Sequence, residues 1–366
     1  MRFQSLASCL AVWVWATLPA GAQAPAAPPP ASEDLQRRIS DLRHEFDQLD
    51  KAVDDLLWYQ TVGDVAYVDK VELTGPPVGK EKKISVGSND PKWKESPLRF
   101  KAYVFIPRSV QEGRRYPVLV FPHGGVHSNF KASQYHHIVR ELVAQGYLVI
   151  APEYRGSTGY GKRFYQTIDY GGLEVADAKA CRDFLLENYS IADPGRVGIL
   201  GWSHGGLITL MNLFNYPEAY QVGYAGVPVS DLIVRMGNKT DRYRALYEVD
   251  YHIGRSAHED LEEYKRRSPT WNAHKLQTPL LIHTNTSDAD VTSTEVKYLI
   301  KALKAAGKSF EYQIYEDMPG GHAFDRIDTR SAREVRLKVY RFLARYLKPP
   351  HPFPDLDALS RASYRF

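Results

Sequence analysis

At 366 residues and 43% hydrophobic, the chain can bury one large core with room for a small appendage, and two large domains would be cramped. Its 47 basic and 43 acidic residues nearly cancel, leaving a formal charge of +4, so no strong field for nucleic acid or a membrane surface arises. The 12 histidines include no His-Glu-x-x-His pair and no Cys/His cluster of the kind that holds zinc, so neither a metal nor another cofactor is implied.

Residues 1 to 24 read as an export signal. Arg2 supplies positive charge, Leu10 to Leu18 an apolar run, and Ala20-Gly21-Ala22 or Ala22-Gln23-Ala24 a small-residue cleavage site. That run is too short to span a bilayer, so the expectation is an exported protein, periplasmic or secreted, with no stable membrane span. Leu6-Ala7-Ser8-Cys9 has the outline of a lipoprotein box, but its apolar stretch follows the Cys instead of preceding it. Once the signal is removed only Cys181 remains, no disulfide can form within the chain, and stability has to come from the core.

Residues 25 to 32, rich in Pro and Ala, read as a spacer. A helix follows, because Leu35, Ile39, Leu42, Phe46, Leu49, Val53 and Leu56 recur in alternating steps of four and three among charged residues. Two readings of that seam stand: an amphipathic helix lying on its own domain, or a homodimer through Leu35 to Leu56. Val65 to Val86 is β-like but broken by Gly75-Pro76-Pro77, and with the helix it makes an N-terminal extension over 33–97. The main domain is expected over 98–348, followed by a tail at 349–366. Within it, apolar strand candidates at Phe100 to Ile106, Val118 to Pro122, Tyr147 to Pro152, Val197 to Gly201, Val222 to Val227, Leu280 to His283 and Phe310 to Tyr315 alternate with helical stretches. That order predicts an α/β fold, a mostly parallel sheet flanked by helices. Residues 231–274, rich in Tyr and charge, interrupt the alternation as a small cap insert. His136 and His137 are adjacent, would diverge on a helix, and read as surface or packing residues.

Gly201-Trp202-Ser203-His204-Gly205 matches Gly-x-Ser-x-Gly between a strand and a helix, the setting of a nucleophile elbow with Ser203 as nucleophile. The motif alone arises by chance about one time in eight in a chain of this length, so its context has to decide. An acid and then a His are expected further along. Asp288 and Asp290 lie in the polar loop behind the strand Leu280 to His283, and His322 follows two glycines behind the strand Phe310 to Tyr315. An oxyanion hole needs two backbone N–H groups; His204, after the nucleophile, supplies one, and Gly125 in the loop Pro122-His123-Gly124-Gly125 supplies the other. His123 reads as a loop brace, since His322 already fills the place of the base.

Several further blocks carry a family resemblance. Pro152-Glu153-Tyr154-Arg155-Gly156-Ser157-Thr158-Gly159-Tyr160-Gly161, with Gly171-Gly172 and Asp177 behind it, resembles the Asn-Tyr-Arg-Gly-Ser-x-Gly-Tyr-Gly stretch of the prolyl oligopeptidase family of serine peptidases. Gly201 to Gly206 is similar to that family's Gly-Trp-Ser-Tyr-Gly-Gly elbow, Pro228-Val229-Ser230-Asp231 to its post-strand turn, and Asp288-Ala289-Asp290-Val291 to its acid loop. The resemblance implies an α/β-hydrolase fold over Leu98 to Lys348, a Ser203, Asp288, His322 triad with Asp290 in reserve, and a peptide substrate without any cofactor. Three departures stand out. Many members carry a β-propeller before this domain, with the glutamates that grip a free amino terminus, whereas residues 25 to 97 stand here, so dipeptidyl activity is not carried over. His204 replaces a Tyr of which only the N–H is needed. Glu153 replaces Asn and is expected in a loop salt bridge, with Arg155 as partner.

A peptidase for short peptides and a carboxylesterase would use the same groups, and a non-catalytic hydrolase-fold protein binding a partner through the heptad helix is a third reading. Tyr243, Tyr247 and Tyr251 of the insert are expected as packing residues.

Overall fold

A computed structural model of the chain describes residues 30–79, 81–84 and 91–364. Residues 1–29, which hold the stretch read as an export signal and most of that read as a spacer, lie outside the described residues. Two units, Met1–Leu42 and Arg43–Phe366, divide the chain. Helix α1 (Pro30–Val62) begins inside the stretch read as spacer. Its described residues in the first unit are helical, with Asp34 pairing with Arg38 at 2.9 Å and Leu35, Ile39 and Leu42 exposed.

The second unit is built on an eight-stranded sheet. In chain order come β1 (Ala66–Gly75), β2 (Leu98–Pro107), β3 (Tyr116–Val120), α2 (Ala132–Ala144), β4 (Leu148–Glu153), α3 (Gly161–Tyr165), α4 (Leu173–Asn188), β5 (Ala192–Trp202), α5 (His204–Asn215) and β6 (Val222–Gly226). The insert folds as four short helices, α6 (Leu232–Asn238), α7 (Asp241–Glu248), α8 (Leu261–Arg266) and α9 (Pro269–Asn272). Then follow β7 (Leu280–Asn285), α10 (Ser293–Ala305), β8 (Glu311–Tyr315), α11 (Arg330–Leu347) and α12 (Leu356–Ser363). The strand order is β1-β2-β4-β3-β5-β6-β7-β8. β1 and β2, and β2 and β4, pair antiparallel, and every other neighbouring pair is parallel. This is the expected mostly parallel sheet flanked by helices.

The central strands are apolar where both of their faces are covered. Val118, Val120, Ile150 and Ile199 enter one core with α4, α5 and α10, while Leu119, Phe121, Val149 and Leu200 enter the other with α2 and α11. Topology places the site. The chain passes from β3 to β4 on one side and from β5 onward to the other, so the loops after β3 and β5 diverge at a switch point, where such sheets bind ligands.

Two boundaries read from sequence move. β1 is hydrogen-bonded to β2 over its whole length, so the sheet starts at Ala66 and not near Leu98; the Gly75-Pro76-Pro77 break ends this strand instead of interrupting it. The expected tail at 349–366 contains α12, where Asp355 caps the Ala358 N–H at 2.8 Å, Leu359 is buried, and the Ser363 hydroxyl donates to Glu141 at 2.6 Å. Among the described residues no helix is long and apolar enough to cross a membrane.

From Arg43 onward α1 does lie on its own domain, but not by the expected face. His44 packs edge-on against Tyr165, Lys51 and Trp58 are buried, and Asp54 accepts from the Ala132 N–H at 2.9 Å. Phe46, Leu49, Val53 and Leu56 of the heptad seam remain exposed.

Candidate active site

Only Ser203 separates β5 from α5, so the chain turns there in a single residue, at φ 58° and ψ −121°. An L-residue rarely occupies that region, and the surroundings have to hold it. The Ser203 N–H donates to Gly226 O at 3.0 Å, and its carbonyl accepts from Leu207 and Val229 N–H groups at 3.1 Å each. Glycine is required on both flanks because backbones touch there. A Cβ at Gly201 would stand 2.4 Å from Gly205 O, and one at Gly205 would stand 2.3 Å from Pro122 O.

The loop behind β3 lies against this elbow, with the Cβ position of Gly124 only 3.4 Å from that of Ser203. The Gly124 N–H donates to the Tyr135 hydroxyl at 3.1 Å, and the next residue, Gly125, lines the cleft. Gly125 has φ 77°, and its carbonyl is held by the Tyr154 hydroxyl at 2.9 Å. The His204 N–H belongs to the first turn of α5, where amides have no acceptor within the helix and the dipole favours an anion.

His123 is the loop brace that its position suggested. It is fully buried, stacks on Tyr154 with ring centroids 4.1 Å apart, and contacts Ser157 Oγ through Nε2 at 2.9 Å. Burial lowers its pKa to about 3, so it stays neutral near neutrality. The side chain of His204 points into the same interior, 3.3 Å from Glu174 and packed on Tyr170.

Glu153 corrects one expectation. Its partner is Lys51 of α1 at 2.8 Å, and it also accepts from the Phe130 N–H at 3.2 Å. Arg155 instead clasps Asp177 through Nε and Nη2, both at 2.8 Å. Burial pushes the Glu153 carboxyl up in spite of Lys51. Lys51 and the Trp58 indole both donate to Phe130 O, at 3.3 and 3.2 Å. Lys51 and Trp58, with Asp54 on the Ala132 N–H, thus hold the far end of the loop that carries Gly125. Sequence reasoning missed them, because nothing in the heptad pattern marks a helix's opposite face as part of a site.

Asp288 follows β7 and is held by its own loop, its Oδ1 accepting the N–H groups of Asp290 at 2.8 Å and Val291 at 3.0 Å. Its Oδ2 meets His322 Nδ1 at 2.7 Å. The neighbouring Asp290 serves a different pair, with Arg235 at 3.0 Å and Lys239 at 3.3 Å. Burial opposes its ionisation, but Arg235, His322 and Lys239 outweigh that and hold its pKa below the usual value. Gly320 and Gly321, at φ 101° and 53°, bend the chain so that His322 stands over the cleft. The Arg326 guanidinium donates to the His322 carbonyl, a second anchor that sequence did not signal.

Ser203, His322, Gly124, Gly125, Arg326 and His137 share one cleft of about 490 Å³. Among the described residues the direct bond within the expected triad is the one between His322 and Asp288, while Ser203 and His322 line the same cleft without a bond between them. His137 is a buried cleft-lining side chain with a pKa lowered by burial to about 4. In the insert, Tyr247 is buried and donates to Tyr243 at 2.6 Å, as expected of packing residues.

Residues 133–350, more than half the chain, match the model of the prolyl oligopeptidase family. The chain is 31% identical over 237 residues to human dipeptidyl peptidase 8, an alignment that covers 60% of this chain and 25% of that protein. It is 29% identical over 245 residues to an acylamino-acid-releasing enzyme of Arabidopsis thaliana, covering 65% of this chain and 31% of the relative. The aligned part is therefore a quarter to a third of these relatives. An acylaminoacyl peptidase of Pyrococcus horikoshii has the same fold, with a TM-score of 0.63 at 21% identity over 81% of this chain and 44% of that one.

Proposed function

Because the chain belongs to the prolyl oligopeptidase family, we propose that it is a serine peptidase of short peptides that works through an acyl-enzyme on Ser203. The observation that carries the reading is the His322 to Asp288 bond of 2.7 Å, made by a carboxylate clamped on two backbone amides and opening on the cleft that Ser203 shares.

In this reading His322 Nε2 takes the Ser203 proton as Oγ attacks the scissile carbonyl, and Asp288 fixes the tautomer and stabilises the imidazolium. The carbonyl oxygen becomes an oxyanion held by the Gly125 and His204 N–H groups, each such donor contributing about 3 kcal/mol. His322 then gives its proton to the leaving amine, the C–N bond breaks, and the ester remains on Ser203. Water, deprotonated by His322, hydrolyses that ester and restores the hydroxyl.

A fluorophosphonate probe is expected to label the wild type and not Ser203→Ala. A panel of fluorogenic peptides and aryl esters then tests the substrate class, with peptide turnover expected and its loss in Ser203→Ala. If esters turn over while no Pro- or Ala-anilide or peptide does, a carboxylesterase replaces the peptidase. A wild type that takes up no probe and turns over nothing leaves a binding protein.

A further inference from the structure

Among the described residues the outward face of α1 is left exposed. In heptad terms Leu35, Leu42, Leu49 and Leu56 occupy d and Ile39, Phe46 and Val53 occupy a. Leu35, Ile39 and Leu42 are 50–63% exposed, and Phe46, Leu49, Val53 and Leu56 are 52–70% exposed. The residues that face the body from Arg43 onward, His44, Lys51 and Trp58, fall one heptad apart at f, directly opposite the seam. Docking of α1 from Arg43 onward therefore leaves Phe46, Leu49, Val53 and Leu56 exposed.

We propose that this stripe is a homodimer interface, in which α1 pairs antiparallel with α1 of a second copy of the chain. Three observations lead there. The repeat is self-complementary, with Leu at every d and apolar residues at every a, as two helices sharing one seam require. Its size is adequate, since the six side chains from Ile39 to Leu56 present roughly 700 Å² per copy, close to one side of a standard interface. The flanking charges choose the direction. A parallel pair would set Arg38 at g against Arg43 at e of the second copy, and Glu45 against Asp50, like charges at both places. An antiparallel pair that places Ile39 opposite Leu56, Leu42 opposite Val53 and Phe46 opposite Leu49 brings Arg43 beside Asp50 of the second copy, twice by symmetry. Asp50 also meets Lys131 at 2.9 Å in an exposed pair, and its carboxylate has lone pairs for both cations.

Light scattering coupled to size exclusion, on the full chain at micromolar concentration, is expected to give twice the mass of one chain. Phe46→Glu with Leu49→Glu is expected to give a single-chain mass with unchanged near-ultraviolet dichroism, because neither side chain enters the core. Arg43→Glu and Asp50→Arg are each expected to raise the dimer Kd about tenfold, and the two together to restore it. For direction, Phe46→Cys protein mixed with Leu49→Cys protein is expected to form a mixed disulfide under mild oxidation. A wild-type monomer, whether or not it adheres to vesicles or another protein, overturns the proposal, as does a dimer that survives both seam substitutions. A Leu49→Cys protein that cross-links to itself instead overturns the antiparallel arrangement.

Discussion

Two stretches of backbone face one another across the cleft, and they are held by different means. On one side, the loops after β5, β7 and β8 carry Ser203, Asp288 and His322, fixed by close neighbours: Asp288 by amides two and three residues ahead, Ser203 by Leu207 and by Gly226 on the adjoining strand. On the other, the loop that presents Gly125 depends on side chains far away in sequence, namely Lys51, Asp54 and Trp58 of α1, with Glu153 beneath. The groups of the proposed triad are thus secured locally, whereas the loop of Gly125 is secured by a buried ion pair that spans about a hundred residues of chain. Damage to the first side should appear in rate, and damage to the second in stability.

The largest effect is expected at the local side. Asp288→Asn keeps an oxygen for the two amides but removes the charge that stabilises the His322 imidazolium, so kcat should fall about 10⁴-fold, which is about 5 kcal/mol. The thermal midpoint should move little. Steady-state kinetics beside a melting curve checks both, and a loss below tenfold would mean that the acid has been misassigned.

On the remote side, Lys51→Met leaves Glu153 buried beside Phe130 without its cation. Removing one partner of a buried pair costs about 3–5 kcal/mol, and urea unfolding should show it. Adding Glu153→Gln should recover most of the loss, since a neutral amide no longer needs the ammonium. No recovery would break the comparison, because Lys51 would then act through something other than the ion pair.

Acid should probe the same side. Burial lowers the pKa of His123 to about 3 and of His127 to about 4, and takes His252 well below the ordinary value. His127 and His252 meet at 2.8 Å between the loop after β3 and the insert. Between pH 6.5 and about 4 the unfolded chain binds protons that these imidazoles in the folded chain refuse, so stability rises with pH across that window and is lost on acidification. Each histidine contributes at most about 1.4 kcal/mol per pH unit. Unfolding midpoints measured from pH 7 to pH 4 should fall, and His127→Asn should flatten the slope. A flat profile in the wild type would show that these rings are solvated.

The legibility of the molecule follows the same division. The elbow could be read because its glycines answer a local demand, backbone atoms within 2.4 Å of where a Cβ would stand. The parallel sheet could be read because strands covered on both faces have to be apolar throughout. The Lys51 to Glu153 pair could not, since a Lys among the polar positions of a heptad looks like any solvated charge, and Glu153 has a nearer Arg that satisfies Asp177 instead. β1 was hard to join to the sheet for a related reason: its partner β2 lies beyond a polar, turn-rich stretch, and antiparallel pairing across such a gap leaves no periodic mark.

The smallest effect is expected at Asp290, and it sharpens the local side of the comparison. Sequence offers two carboxylates two residues apart, and either could orient an imidazole. In the structure the loop's own amides turn Asp288 toward Nδ1 of His322, while Asp290 stands half-exposed between Arg235 and Lys239, with its nearer approach to the imidazole at Nε2, 3.7 Å away. Exposed ion pairs contribute up to about 1 kcal/mol, so Asp290→Asn should change kcat/KM by no more than about fivefold. Its own acid titration should be mild, because the carboxyl pKa is held below the usual value and the charge is lost only as pH falls through that lowered pKa. A loss approaching that of Asp288→Asn would instead make the two carboxylates a coupled pair, and the division between a locally clamped acid and its salt-bridged neighbour would have to be abandoned.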